Sequence, residues 1–443
     1  MFSKTTYMSF MVLTVRHICR ILQMSLDSSR TLWAACMNAL YIHFDLDCFF
    51  AAVEMLHHPE LRGVPVCVGG LRGQRGIVAC PNYEARAYGV RTAMPIRTAE
   101  RMLPSTAVFV RGRHTLYGEY SQRVMAVFGG FTPDVWPKSI DEALLEVSGC
   151  LHLWGHDPGR MARAIKDRVK ADTGLTVSAG VAPNPLCAKI AAGLRKPDGL
   201  VVVPRGGVRE FLTMLSIDDV PGIGKKTAPG LKLRNIKTVG DLMARPPAQG
   251  TWMAHLLESL LDEHGMYAGG DHEPADHSIS RDRTFWEDTD DRARIDAMLF
   301  GLVEKCCRTL RSESLAASTV TMKVRFSNFT TLQKQMTLPS ASTNEEDILA
   351  AARTLLSVLL PEGRFIRLVG VKVSNLSPME GQQLMLDAGR SEKLHALHTK
   401  IDKLRERYGD ESIKWVTVVE SGNEQEVDSM KQEESGRSLT GVR

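Results

Sequence analysis

Short apolar runs alternate with stretches of helical spacing along the first half of the chain. Tyr41–Phe44 predicts a buried strand, and the apolar residues after Asp45-Leu46-Asp47 predict a helix. Val64–Val68 and Gly76–Cys80 predict two short strands joined by a tip at Arg72–Gly76. Leu116–Val127, Asp157–Thr173 and Asn184–Leu194 have helical spacing, while Ala143–Val147, Thr176–Val181 and Leu200–Val203 predict strands. Residues 41–50 and 115–203 together read as an α/β layer with one helical face. A helical region opens at Ile217–Ala228.

Beyond Tyr267–His277, which reads as a linker, Ser278–Val373 has a different pattern. Ile295–Leu310 and Asn344–Leu360 predict helices. Ser318–Phe326 alternates, with Thr319, Thr321, Lys323 and Arg325 on one register and Val320, Met322, Val324 and Phe326 on the other. Arg367–Asn375 alternates again and puts Lys372 on the polar register. Two helices against an antiparallel sheet fit this pattern. Its polar face offers hydroxyls and cations to a phosphate backbone, or is simply solvated. Gly381–Asp387 is an apolar island in a polar tail. Leu394, Leu397, Ile401, Leu404 and Tyr408 then recur at helical spacing, and the polar composition of residues 421–443 predicts no fixed structure.

At 443 residues the chain has room for about two to four domains. The 44% apolar and 24% charged fractions are those of a globular protein, and a net charge of +4 permits a polyanionic partner without requiring one. The nine cysteines contain no Cys-x-x-Cys, which predicts reduced thiols in a cytoplasm, with neither zinc site nor disulfide framework. No apolar run approaches the ~18 residues of a membrane helix. Residues 1–40 are basic and lack an acid before Asp27, as in an organellar leader. We read them instead as an upstream start, with Met37 opening the working protein only four residues before the first strand.

The candidate chemistry starts at Asp45, at the end of the first strand. A carboxylate there is costly to desolvate without a cation, and hard divalent cations take oxygen ligands. Asp141-Glu142, in a predicted turn before Ala143–Val147, offers two more acids. Tyr83 and Arg86 lie three apart, on one side of a helical turn, where a phenol and a guanidinium can clasp a phosphate. In Pro221-Gly222-Ile223-Gly224-Lys225 the glycines let backbone N–H groups approach phosphate oxygens; the spacing is not that of a P-loop.

DLDCFFAAVE at Asp45, GQRGIVACPNYEARAYGVRTAMP at Gly73, SIDEALLEV at Ser139, CAKIAAGLRKPDG at Cys187 and VPGIGKKTA at Val220 occur in one order. Together they resemble the Y-family translesion DNA polymerases of the bacterial DNA polymerase IV (DinB) type, across residues 41–375. The resemblance implies a multidomain α/β and α+β right hand. Its parts are a palm (41–48 and 115–203), fingers (49–114), a helix-hairpin-helix thumb (204–267), a linker (268–278) and a little finger (279–376), then a tail (377–443). It implies two Mg2+ ions held by Asp45, Asp141, Glu142 and the Leu46 carbonyl, with the carboxylates as the catalytic set. Tyr83, Arg86 and Lys196 would neutralise the triphosphate of a deoxynucleotide, with the Phe49 backbone behind it and Phe50 as the gate against a ribose 2′-OH. Primer–template DNA would contact Gly222, Gly224, Lys225, Thr319, Thr321, Lys323, Arg325 and Lys372. Small residues at Ala79, Cys80 and Ala93 imply a roomy pocket, low fidelity and synthesis past damaged bases, and the expected state is a monomer. Gln383-Leu384-Met385-Leu386 resembles a sliding-clamp-binding peptide without its closing aromatic. Cys80, Pro185, Pro229 and Asn235 depart from the family pattern. Two other readings stand beside this one: a non-catalytic Y-family adaptor that binds DNA in a damage-response complex, and a palm-type cyclase, which has no need of a duplex grip.

Overall fold

A computed structural model describes residues 39–262, 278–361, 363–379, 388–409 and 412–413, apart from the side chains of 388–396 and 406. Residues 1–38 of the extension, residues 268–277 of the linker, the peptide Gln383–Leu386 and the polar end 421–443 lie outside the described residues. The chain forms two compact units, one up to Asp271 and one from His272. No helix among the described residues is long and apolar enough to cross a membrane.

The first unit is built around β1 (Tyr41–Leu46), whose residues are buried except for a half-buried Asp45. It leads into α1 (Phe49–His57) through Cys48, which takes a left-handed conformation at φ 39°. Next comes a small sheet of β2 (Val66–Gly69), β3 (Val78–Pro81) and β4 (Val108–Arg111). Here β2 is central, antiparallel to β3 and parallel to β4. Two short helices, α2 (Tyr83–Ala87) and α3 (Ile96–Met102), complete this part around Cys67, Val78, Ala85 and Ile96. After α4 (His114–Gly129) follow β5 (Val135–Pro137), β6 (Glu142–Glu146), α5 (Pro158–Thr173), β7 (Val177–Ala182), α6 (Pro185–Leu194) and β8 (Leu200–Val202).

The main sheet has the order β5-β6-β1-β7-β8, with β1 antiparallel to both of its neighbours. Ile42, Phe44 and Leu46 face α4 and α5, where the Phe44 ring stacks on Phe128 at 4.8 Å. Tyr41, Leu144 and Ala182 face the other way, onto α6. The sheet therefore has helices on both faces, not the one expected from the sequence. The reason is local: Gly180 lets α6 descend so far that a Cβ there would lie 2.1 Å from the Ala188 carbonyl oxygen. The helix meets it with Ala188, Ala191 and Ala192. Pro185 fits the first helical turn, whose N–H needs no intrahelical partner, and Asn184 caps it by accepting from the Cys187 N–H at 2.7 Å.

The helical region contains α7 (Val208–Thr213), α8 (Ala228–Leu233), α9 (Val239–Ala244) and α10 (Trp252–Leu261). Its apolar residues share a core with α6. The fit of two unusual residues here is also local. Pro229 lies in the first turn of α8, and Asn235 holds φ 56°, a left-handed backbone that asparagine tolerates better than most residues. The Asn184 amide, 1% exposed, donates to the carbonyls of Leu260 at 3.2 Å and Asp262 at 2.8 Å, so one side chain joins the start of α6 to the end of α10.

The second unit holds β9 (Ile279–Thr289), α11 (Arg292–Ser312), β10 (Leu315–Phe326), β11 (Thr331–Ser342), α12 (Glu345–Leu359), β12 (Ile366–Pro378) and α13 (Ala388–Tyr408). Its antiparallel sheet has the order β11-β10-β12-β9, and α11 and α12 share one apolar core with it. Charged groups fasten α13 to these helices. Arg311 donates to Glu345 and to Asp402, each at 2.7 Å, His398 contacts Glu345 at 2.5 Å, and Arg405 pairs with Glu304.

Candidate active site

The central feature is a strand register. Asp45 on β1 lies directly across from Glu142, the first residue of β6. The sequence reading put Glu142 in a turn; the antiparallel ladder extends one residue further and captures it. Directly opposed residues of such a pair point to the same face, with Cα atoms about 5 Å apart. Asp141 is next to them, and its carbonyl accepts from the Leu46 N–H at 2.9 Å while its carboxylate accepts from Ser139 Oγ at 2.5 Å. Burial raises the Asp45 carboxyl above its ordinary range; Lys196 opposes this, and the charges of Glu142 and Asp141 add to it.

Two ammonium groups balance this acidic cluster: Lys196 pairs with Asp45 and Lys189, on α6, pairs with Glu142. Among the described residues no three acids, histidines or cysteines are closed into a metal cage. The donor set still suits a hard divalent cation, since it is all oxygen and its three carboxylates, Asp45, Asp141 and Glu142, outnumber the two ammonium groups paired with them. Behind it lies His43, 2% exposed, with Nε2 3.7 Å from Glu142 Oε2. Burial first, then Lys189, Lys196 and Lys138, lower its pKa to about 3, so the imidazole is neutral.

Asp47 plays a different part from Asp45. It is 2% exposed and turns away from the acids. Its oxygens accept from Ser178 Oγ at 2.8 Å, the Asp198 N–H at 2.7 Å and the Tyr83 hydroxyl at 3.3 Å. It thus ties the turn that carries Lys196 to the helix that carries Tyr83. That helix, α2, is set by Asn82, whose buried Oδ1 accepts from the N–H groups of Val66 and Ala85, both at 2.9 Å. The Arg86 guanidinium lies over the Tyr83 ring at 4.8 Å, with its Nε donating to the Pro81 carbonyl. Tyr83, Arg86, Ala87, Arg91 and Thr92 line an open cavity of about 670 Å3. Burial raises the Tyr83 phenol and the Cys80 thiol; at Cys80 the N–H groups of Ala51 and Phe50 and the Arg86 charge oppose it.

Phe49 and Phe50 open α1. The Phe50 ring stacks on Tyr117 at 4.4 Å and 13°, and His114 stands edge-on to it at 5.8 Å. Ala79 is half-buried in β3, while Ala93 is exposed at φ 67°.

In the Pro221–Lys225 loop, Ile223 is buried while Gly222, at φ 97°, Gly224 and Lys225 are exposed. In the second unit, the face with Thr319, Thr321, Lys323 and Arg325 is less open than the alternation suggested. Thr319 and Thr321 are buried, because β10 is flanked on both sides and longer residues stand beside them: Thr321 pairs with Gln335 and Lys372, and Asn375 donates to Thr319 Oγ1. Lys323 pairs with Asp282, which reaches it across Gly370. Arg325 donates to Thr331 Oγ1 at 2.9 Å, and Lys372 is exposed.

Sequence reasoning missed His43, Asp47 and Lys189 as neighbours of the site. The usable signal for Asp47 was its place in a buried, acid-bearing motif; its partners, at positions 83, 178 and 198, come from three separate stretches of the chain.

Two family models match the chain: the impB/mucB/samB family over residues 44–193 and its C-terminal domain over residues 276–386. A DNA polymerase IV of Dehalococcoides mccartyi (strain CBDB1) is 38% identical over 383 residues, covering 84% of this chain and 95% of the relative. Among solved structures, a Y-family DNA polymerase chimera of Dbh and Dpo4 matches with TM-score 0.66 and 28% identity, covering 76% of this chain and 99% of its own. The insertion ternary complex of Dbh DNA polymerase matches with TM-score 0.53 and 27% identity, covering 76% of this chain and 99% of its own.

Proposed function

The chain belongs to the Y-family of DNA polymerases, in its DNA polymerase IV branch, and from that premise we propose that Asp45, Asp141 and Glu142 are its catalytic carboxylates. It is a DNA-directed DNA polymerase of translesion synthesis, acting on primer–template DNA and deoxynucleotides. The observation that supports the assignment is the register that sets Asp45 against Glu142 with Asp141 beside them.

Y-family polymerases depend on divalent metal. We assign two Mg2+ to Asp45, the Leu46 carbonyl, Asp141 and Glu142. When bound, such ions ease deprotonation of the primer hydroxyl and draw charge from the triphosphate. The chain's own residues do the rest. Lys196, Tyr83 and Arg86 bind the β and γ phosphates, and the N-terminus of α1 at Phe49 adds backbone donors. The Phe50 ring fills the space of a ribose 2′-OH. Ala79, Cys80 and Ala93 leave the base pair loosely bounded, which suits low fidelity and damaged templates. Residues 41–48 and 115–203 serve as palm, 49–114 as fingers, 204–267 as thumb and 279–376 as little finger. Gly222, Gly224 and Lys225 hold one stretch of duplex backbone, and Arg325 and Lys372 another. The finer partners are carried by the sequence alone: a sliding clamp at Gln383–Leu386, a monomeric state and a cytoplasmic setting.

The test is Mg2+-dependent primer extension by the wild type and by Asp141→Ala. We expect extension by the first and a loss of about a hundredfold to a thousandfold in the second, the scale of removing a main charge-stabilising group. Extension that survives the substitution would overturn the assignment. A wild type that binds DNA without extending it would support the adaptor reading instead.

A further inference from the structure

Glu54 is 0% exposed, and none of the chemistry above uses it. An unpaired carboxylate buried to that degree costs several kcal/mol, so its partners define its role. They are three donors from one segment. Tyr117 donates its hydroxyl at 2.5 Å, and Arg113 gives Nε at 3.0 Å and Nη2 at 2.5 Å. Arg113 is the residue that precedes α4, and Tyr117 lies in the first turn of that helix.

The same geometry reaches Phe50. Phe50 and Glu54 are four apart on α1 and so share a face. Tyr117 meets both at once, with its hydroxyl on Glu54 and its ring stacked on Phe50. Tyr117 is itself 0% exposed, wedged between Phe49 at 6.2 Å and the edge of His114 at 5.8 Å. The Phe50 ring is therefore backed by a second ring, and that ring is fixed at its far end by a buried carboxylate that a half-buried arginine clasps.

We propose that Glu54 and Arg113 are positioning residues for sugar discrimination: they hold the Tyr117 ring that backs Phe50. The proposal rests on the reading of Phe50 as the gate against a 2′-hydroxyl. Neither residue touches a reacting atom. Their effect passes through the depth and tilt of one aromatic stack, and a shift of a fraction of an ångström there changes the room for one oxygen atom.

The alternative is a tie between α1 and α4 with no bearing on the sugar. Single-nucleotide insertion separates the two. kcat/KM for a deoxynucleotide and for the matching ribonucleotide is measured in the wild type, Glu54→Gln, Arg113→Lys, Tyr117→Phe and Phe50→Ala. Glutamine keeps the shape and an acceptor for Tyr117 but removes the charge that Arg113 clasps. We expect Glu54→Gln and Arg113→Lys to lower the deoxy-over-ribo ratio about tenfold, with the deoxynucleotide value changed less than about threefold. Tyr117→Phe, which keeps the ring and loses the hydroxyl, should lower the ratio similarly. In a Phe50→Ala background, Glu54→Gln should lower it no further. An unchanged ratio in folded Glu54→Gln, or in folded Arg113→Lys and Tyr117→Phe if the first does not fold, overturns the proposal. An unchanged ratio in Phe50→Ala overturns the gate reading and the proposal with it. A ratio lost in Phe50→Ala alone leaves the gate standing and sinks only the positioning role.

Discussion

Asp45 and Asp47 are the same residue two positions apart, yet they do opposite things. On a continuing strand they would share a face. The strand stops at Leu46, and Asp47, just past its end, is held instead by Ser178, Tyr83 and the Asp198 N–H. With Asn at position 47, a neutral amide would replace the charged acceptor that these three donors share. Losing a charge-assisted bond costs about 1.5–3 kcal/mol, and the loss falls on the turn that carries Lys196. Asp47→Asn should therefore raise KM for the incoming nucleotide about tenfold while kcat falls less, a split that steady-state insertion kinetics would reveal. An unchanged KM would show that the turn keeps its place without Asp47. The sequence displayed both acids plainly. It could not display which of them faces the others, because that depends on where the strand ends and on partners up to 151 residues away.

The sheet shows the same limit at the scale of elements. Apolar runs predicted β1, β2, β3, β6, β7, β8, β10 and β12 and most of the longer helices, because burial leaves its mark on their periodicity; β4, β5, β9 and β11 escaped. The second helical face escaped prediction because it depends on a missing side chain at Gly180 and on alanines in α6, which leave no strong apolar stripe. Gly180→Ala forces a methyl group against backbone atoms at 2.1 and 2.3 Å that have no flexible end to move aside. We expect a loss of about 3 kcal/mol from overpacking, read as a lower midpoint in denaturant unfolding. Stability equal to the wild type would mean that α6 lifts off the sheet without penalty. The same reasoning explains β10, where alternation predicted a polar face but its position inside the sheet buried two threonines.

For the whole molecule, charge fixes what apolar packing leaves undecided. In the second unit Arg311, Glu345, His398 and Asp402 form a buried set that fastens α13 to α11 and α12. Burial pushes the Glu345 carboxyl up, but His398 and Arg311 outweigh it and hold it below the ordinary glutamate range. Because its folded pKa is depressed, the stability it lends is complete above that range and is lost as pH falls through the depressed value. Acidification should thus expose the amides of α13 to hydrogen exchange before those of β10 and β12, and Arg311→Ala should do so at neutral pH, at about 3–5 kcal/mol. Uniform exchange across the unit would contradict this. In the first unit the Asn184 amide acts as a rivet through two helix ends, with α6 on its acceptor side and α10 on its donor side. Because α6 also carries Lys189 to Glu142, a continuous chain of contacts runs from Leu260 and Asp262 to the proposed catalytic carboxylates. Tension in the part proposed to grip the duplex is thereby geared to the part proposed to do the chemistry.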